Sequence, residues 1–201
     1  MQSKKEEVRN ALLNAGEKEF LTNGFKNSSL RKIIKIAGTT IGNFYNYFDN
    51  KEALFEALVK DEYDKFIYFI EHHEEIERPD YLWDVSDVRI WRSSLFEFIE
   101  NYMPTFSKRF VLLIEGSEGT QFEKVKENLL QFLTEHFVSH IQKVKNSQAH
   151  IEMAEIVSVQ FVEGFLFILK NYEDETMRKK LITEHMLFII MGSMSLIGEF
   201  K

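Results

Sequence analysis

Between residues 28 and 51, SSLRKIIKIAGTTIGNFYNYFDNK, amides, hydroxyls and phenols are gathered at helical spacing. Phe44 and Phe48 lie one turn apart and define an apolar face, from which Asn43, Asn46 and Tyr47 point away. Hydrogen-bonding amides and a phenol, with no carboxylate among them, suit a polar, negatively charged partner better than water alone. Their placement depends on what precedes them. Leu30, Ile33, Ile34 and Ala37 recur at i, i+3, i+4 and i+7, so a first helix carries one apolar stripe, with Ser28 or Ser29 as its N-cap. Gly38 stops that helix, and Thr39 and Thr40 bridge to the second. Two short helices joined by a glycine turn, the second of them polar, form a helix-turn-helix.

The rest of the composition bounds what such a motif can belong to. With 201 residues and 44% apolar content, the chain can bury one sizeable core or two modest ones, and no stretch is long and apolar enough to span a bilayer. The N-terminus, MQSKKEEVRN, is charged and has neither an apolar signal core nor a cleavage site, so a soluble, cytoplasmic protein is expected. The absence of cysteine excludes disulfides, thiolate catalysis and zinc–thiolate sites, and is compatible with a reducing compartment. A formal net charge of -7 argues against a nucleic-acid partner until its distribution is read. Residues 1 to 51 carry nine Lys/Arg against five Asp/Glu, while the remainder carries 16 against 27. A basic N-terminal quarter on an acidic body presents a phosphate backbone with a favourable local field.

Taken in order, the first helix is expected from about Lys4 to Thr22, burying Val8, Ala11, Leu12, Ala15, Phe20 and Leu21, with Gly24 as its C-cap and Phe25 turned inward. Asp49, with Glu52 three positions later, resembles a capping box for a fourth helix that uses Ala53, Leu54, Ala57, Leu58 and Phe66 and reaches the His72–His73 region. Five further helices follow, and strand signals are nearly absent. They are expected at about Ser86 to Met103 (Ile90, Trp91, Leu95, Phe98, Ile99 and Tyr102 inward), Phe106 to Glu115, Gln121 to Lys145, Ile151 to Tyr172 and Glu175 to Phe200. The fold class is therefore all-α. A three-helix N-terminal domain, residues 1–50, is joined by a long helix to a larger helical domain, residues 51–201.

The last two helices are apolar over more of their circumference than one buried face requires. Ile156 to Leu169 is interrupted only by Gln160, Glu163 and two small positions, and Leu187 to Ile197 has no charge. A second apolar face predicts an isologous homodimer through about 151–172 and 175–200, two helices from each chain, with Gly164, Gly192, Ser193 and Ser195 permitting close approach. The alternative is that both helices are central in a monomer core.

The order of motifs in the N-terminal segment resembles the DNA-binding domain of the TetR family of bacterial transcriptional regulators. The resemblance spans residues 8 to 58 through Gly24-Phe25, Ala37-Gly38, Gly42, Phe44-Tyr45, Tyr47-Phe48 and Lys51-Glu52-Ala53-Leu54. Beyond residue 60 it extends only to length, helical class and two greasy terminal helices. It implies that Thr40 caps the recognition helix and, with Ser29, Tyr45, Tyr47 and Lys51, holds phosphates flanking a major groove of double-stranded DNA. It leaves Arg31, Ile41, Asn43 and Asn46 as candidates for base edges. Purely structural roles stay open: Ser29 as a cap alone, Tyr45 packed beside Phe44, and Ile41 on the face shared by Phe44 and Phe48. Ile41 and Asn43 depart from the charged, amide or smaller residues frequent there, which shifts specificity toward Arg31, thymine methyls and DNA shape.

Elsewhere, chemistry is thin. His136 and His140 lie one turn apart, but Phe137 between them breaks a metalloprotease motif and no third ligand is evident, so no metal is expected. No nucleophile–base order, phosphate-cradling loop or carboxylate pair points to an enzyme, and no cofactor is implied. Phe98, Tyr102, Phe106, Phe110, Phe132, Phe161 and Phe165, with Phe96, could line a cavity for a small apolar effector or form dry core. The resemblance implies a dimeric regulator, usually a repressor, that leaves a near-palindromic operator when a small molecule binds its C-terminal domain. An activator or ligand-independent regulator of the same fold, and a helical carrier of apolar ligands that never meets DNA, are the alternatives.

Overall fold

A computed structural model describes residues 2–72, 88–101, 106–142 and 148–197. All regular structure among them is helical: α1 Gln2–Asn27, α2 Leu30–Ile36, α3 Ile41–Phe44, α4 Lys51–His72, α5 Val88–Asn101, α6 Lys108–Glu115, α7 Val125–Gln142, α8 Gln148–Asn171 and α9 Glu175–Ile197. The chain divides into two compact units, Met1–Ile67 with Phe106–Lys126, and Tyr68–Thr105 with Glu127–Lys201. The first therefore extends past the limit expected after residue 50. Its core explains why. Leu54, Phe55, Leu58 and Val59 of α4 are buried, and the Phe55 ring meets Phe20 edge-on at 5.3 Å and Phe25 at 5.4 Å. One long and two short helices bury too little by themselves, and α4 and the α6 segment complete them. Phe25 N–H donates to Gly116 O at 2.8 Å, Arg109 Nε to Glu17 at 2.8 Å, and Tyr63 lies edge-on to Phe122 at 5.2 Å.

Punctuation follows glycine and cap chemistry. Gly24 interrupts α1 with φ 68° and ψ 169°, a conformation that only glycine adopts without strain. After α2, Gly38 takes φ 65°, its N–H reaches Lys35 O and that of Thr39 reaches Ile34 O, which is a Schellman closure. Ser29 caps α2 through Lys32 N–H, and Thr40 caps α3 through Asn43 N–H. The cap of α4 is Asn50, whose Oδ1 accepts from Ala53 N–H at 2.7 Å, and not Asp49. The helix begins one residue later than the capping-box spacing suggests.

Several inward assignments fall outward. Leu21 is 41% exposed because it sits one position beyond the α1 stripe that runs through Leu12, Ala15, Gly16 and Glu19. Ala57 faces solvent one position before the buried Leu58, and Ile90 and Phe96 are exposed while Leu95 and Ile99 are buried. Two carboxylates occupy apolar stripes instead. Glu19 is buried in α1 and Glu62 in α4, where Glu62 Oε1 accepts from the Ser107 hydroxyl at 2.6 Å and so holds the start of α6.

In the second unit, α9 packs against α5 and α8. Gly164 has a function here that differs from the intersubunit approach expected of it. A Cβ at this position would lie 2.4 Å from the His185 ring of α9, so the glycine makes room for its own chain. That ring stacks on Phe161 at 5.5 Å, and its Nε2 lies 3.0 Å from Phe161 O. Gly192, in contrast, has open space beside it. No helix among the described residues is long and apolar enough to cross a membrane.

Candidate nucleic-acid interface

The candidate residues all belong to the first unit, on α2, α3, the turn that follows and the start of α4. α3 is a single turn. Its continuation through Asn46 and Tyr47 is tightened by bonds from Asn46 N–H to Asn43 O and from Tyr47 N–H to Phe44 O, three residues back. Phe44 and Phe48 are the buried anchors, as their spacing predicts, and their rings lie 5.8 Å apart. Ile41 does not share their burial. It is 50% exposed, because in a one-turn helix the first residue after the cap stands clear of the core that Phe44 enters.

Thr40 and Ser29 accept backbone N–H bonds through their hydroxyl oxygens, which leaves each O–H proton able to donate outward. Both sit at exposed helix starts. Tyr45 is 54% exposed while its ring meets Phe44 edge-on at 5.4 Å, so packing of the ring and access to the residue coexist. Arg31 and Asn46 are exposed; Asn43 and Tyr47 are half-buried. Lys51 is the most constrained of the set. Its Nζ donates to Phe25 O at 2.7 Å and Ser28 O at 3.1 Å and lies 4.3 Å from the Phe25 ring centre, and burial pushes its pKa below the usual lysine value. An ammonium has three protons, so one is left for an external acceptor while two tie down the α1–α2 connection.

Two features of this surface are not apparent from residue type. Gly42 lies exposed inside α3 with nothing within 4 Å of where a Cβ would stand, so the fold itself does not require a glycine there. Glu19 holds the α2 N-terminus: Lys32 Nζ lies 2.6 Å from its Oε2, and Ser29 N–H donates to its Oε1 at 3.3 Å. A glutamate at an apolar-stripe position of α1 was the available signal.

The segment carrying these residues matches known proteins in sequence. Residues 12–58 match the family model described as bacterial regulatory proteins, tetR family. This N-terminal segment is similar to tetR-family regulators. Over 61 residues, 30% of this chain, it is 44% identical to an uncharacterized HTH-type transcriptional regulator of Bacillus subtilis, YdgC, covering 31% of that protein. It is 36% identical over 59 residues to the HTH-type transcriptional regulator UidR of Escherichia coli, covering 29% of this chain and 30% of that one. These matches thus span about a third of the relatives' length. A tetR-family transcriptional regulator of Pectobacterium atrosepticum is similar in structure across 96% of both chains, at 16% identity and a TM-score of 0.45.

Glu19 gives the N-terminal unit a measurable pH dependence. The hydrogen bond from Lys32 outweighs burial and holds the Glu19 carboxyl below its ordinary pKa. A depressed carboxylate stabilises the fold above its unfolded-state pKa, and that contribution is lost as pH falls through the folded-state value. Glu19→Gln is expected to cost about 1–2 kcal/mol near neutral pH. The deficit should shrink as pH falls through the acid range, where the parent carboxyl is itself protonated. Thermal melts of both proteins across that range read the difference, and a pH-independent deficit would contradict the assignment.

The effector candidates are distributed between the two units. Phe106 and Phe110 are buried in the first, 4.2 Å apart, with Phe110 5.8 Å from Phe66. Phe161 and Phe165 stack at 6.3 Å in the second, where Phe165 is buried and Phe132 half-buried. Tyr102 and the side chain of Phe98 lie outside the described residues, as does the side chain of His140, while His136 stacks with Phe132.

Proposed function

We propose that this chain is a cytoplasmic, DNA-binding transcriptional regulator whose head lays α3 in a major groove. The observation that carries this reading is Gly42, an exposed helical glycine that nothing in the fold crowds, set in a face whose neighbours are hydroxyls, amides and a phenol. A missing Cβ at that point lets another surface approach the backbone closely. Thr40, Ser29, Tyr45, Tyr47 and the remaining proton of Lys51 donate to phosphates on either side. Arg31, Ile41 and Asn46 meet base edges, Ile41 offering its exposed side chain to a thymine methyl.

The functional unit is a homodimer that covers a near-palindromic operator. Support comes from the exposed apolar residues of the terminal helices, Ile156, Val159 and Phe167 on α8 and Met177 and Phe188 on α9. Repression relieved by a small apolar molecule in the C-terminal domain is the regulatory reading that the family resemblance supports. Such a molecule acts by its differential affinity for the bound and released conformations.

Labelled duplexes covering the DNA that flanks the chain's own gene, titrated with the full protein at low salt, test the central part. Saturable binding to one of them is expected, and no binding to any would favour a carrier that does not use DNA.

A further inference from the structure

Three side chains of the candidate interface are joined in a line. Asn43 Nδ2 donates to Thr39 Oγ1 at 2.8 Å, and Asn46 Nδ2 donates to Asn43 Oδ1 at 3.2 Å. The two amides are left in different states. Asn43 is half-buried and engaged at both ends, one N–H on Thr39 and its oxygen receiving Asn46. Asn46 is exposed and engaged only through one N–H, so it keeps the other N–H and its whole carbonyl oxygen. One donor beside one acceptor on a planar group is the complement of the major-groove edge of adenine, which offers N7 as acceptor and the N6 amino group as donor. Thymine, cytosine and guanine do not offer that pair in that order.

We propose that Asn46 reads an adenine of the bound site, and that the Thr39–Asn43–Asn46 line holds its amide turned for that base, with Asn43 and Thr39 as positioning residues. This deepens the DNA-binding reading and rests on it. The direction of the line matters. An amide turned the other way would present its NH2 group outward and favour the two acceptors of guanine, N7 and O6. Asn43 accordingly acts through its neighbour, although its residue type alone qualifies it equally as a base reader.

The test is selection of bound duplexes from a random-sequence library by the full chain, repeated with Asn46→Ala, Thr39→Val and Thr39→Ser. Wild-type protein is expected to enrich sites with an adenine at one position. Asn46→Ala should recover all four bases there while leaving the other positions enriched. Thr39→Val should flatten the same position in part, and Thr39→Ser, which keeps the hydroxyl, should restore it. On an enriched duplex, 7-deazaadenine at that position removes N7. It should weaken wild-type binding roughly tenfold and leave Asn46→Ala binding unchanged. Unaltered base preference in Asn46→Ala, or loss of preference at a guanine, overturns the proposal while DNA binding stands. Failure of the wild-type chain to enrich any sequence overturns the DNA-binding reading with it.

Discussion

Phe167→Asp combined with Phe188→Asp is expected to convert the protein into a folded monomer that has lost most of its operator affinity. Phe188 is 75% exposed on α9 and Phe167 59% exposed on α8, the largest apolar surfaces that the described residues leave to solvent on those two helices. A phenylalanine buries about 150–250 Å² when covered, and aromatic anchors at interface centres cost about 2 kcal/mol or more each when removed. In an isologous interface every substitution occurs twice, so four anchors become four carboxylates facing an apolar partner surface. Because these side chains contribute little to their own unit, the helical circular dichroism signal should persist. Light scattering should report half the wild-type mass at micromolar concentration. Affinity for a two-half-site duplex should fall by about 100-fold or more, since the second head no longer binds at high effective concentration. A variant that keeps the wild-type mass would place the subunit contact elsewhere.

Gly42→Ala separates folding from binding in one substitution. Gly42 does not adopt positive φ and a Cβ there meets nothing, so alanine fits the backbone and should hold or raise stability by up to about 1 kcal/mol. If α3 lies in the groove, the same Cβ stands between helix and DNA, and affinity should fall about tenfold or more. A melt paired with a titration reads both effects. Equal affinity in the two proteins would move the contact surface away from this side of α3.

How far the sequence reaches can be judged on individual residues. Thr40 and Ser29 are legible because a cap is a local event, fixed by a hydroxyl three residues before a free backbone N–H. The buried pair Phe44 and Phe48 is legible because helical spacing survives even in a one-turn helix and the turn after it. Ile41 is not, since a periodicity argument assumes a helix that continues in both directions, whereas α3 begins at that residue. The orientation of Lys51 depends on carbonyls of Phe25 and Ser28, 26 and 23 residues away, which no local pattern encodes. The same holds for Glu19. Its place on the α1 stripe marks it as anomalous, but only the fold brings Lys32 and the Ser29 N–H to it. The two asparagines show a finer limit. Residue type assigns both to base edges, and only the bond from Asn43 to Thr39 distinguishes the amide engaged at both ends from the one engaged through a single N–H. Gly164 reads from sequence as space for a partner subunit, and the structure fills that space with His185.

The salt dependence of duplex binding tests the central claim most directly. Lysine and arginine contacts to phosphate release condensed counterions, whereas hydroxyl contacts do not, so log K should fall linearly with log salt, with a slope of about -0.9 for each phosphate neutralised. With Lys51 as the charged phosphate donor of each head, and Arg31 as the other cation of the face, a dimer neutralises about two to four phosphates, so a slope of about -2 to -4 is expected, with binding that weakens steadily as salt rises. A slope near zero, or no duplex bound at low salt, would contradict the assignment of residues 28 to 51 as a DNA grip.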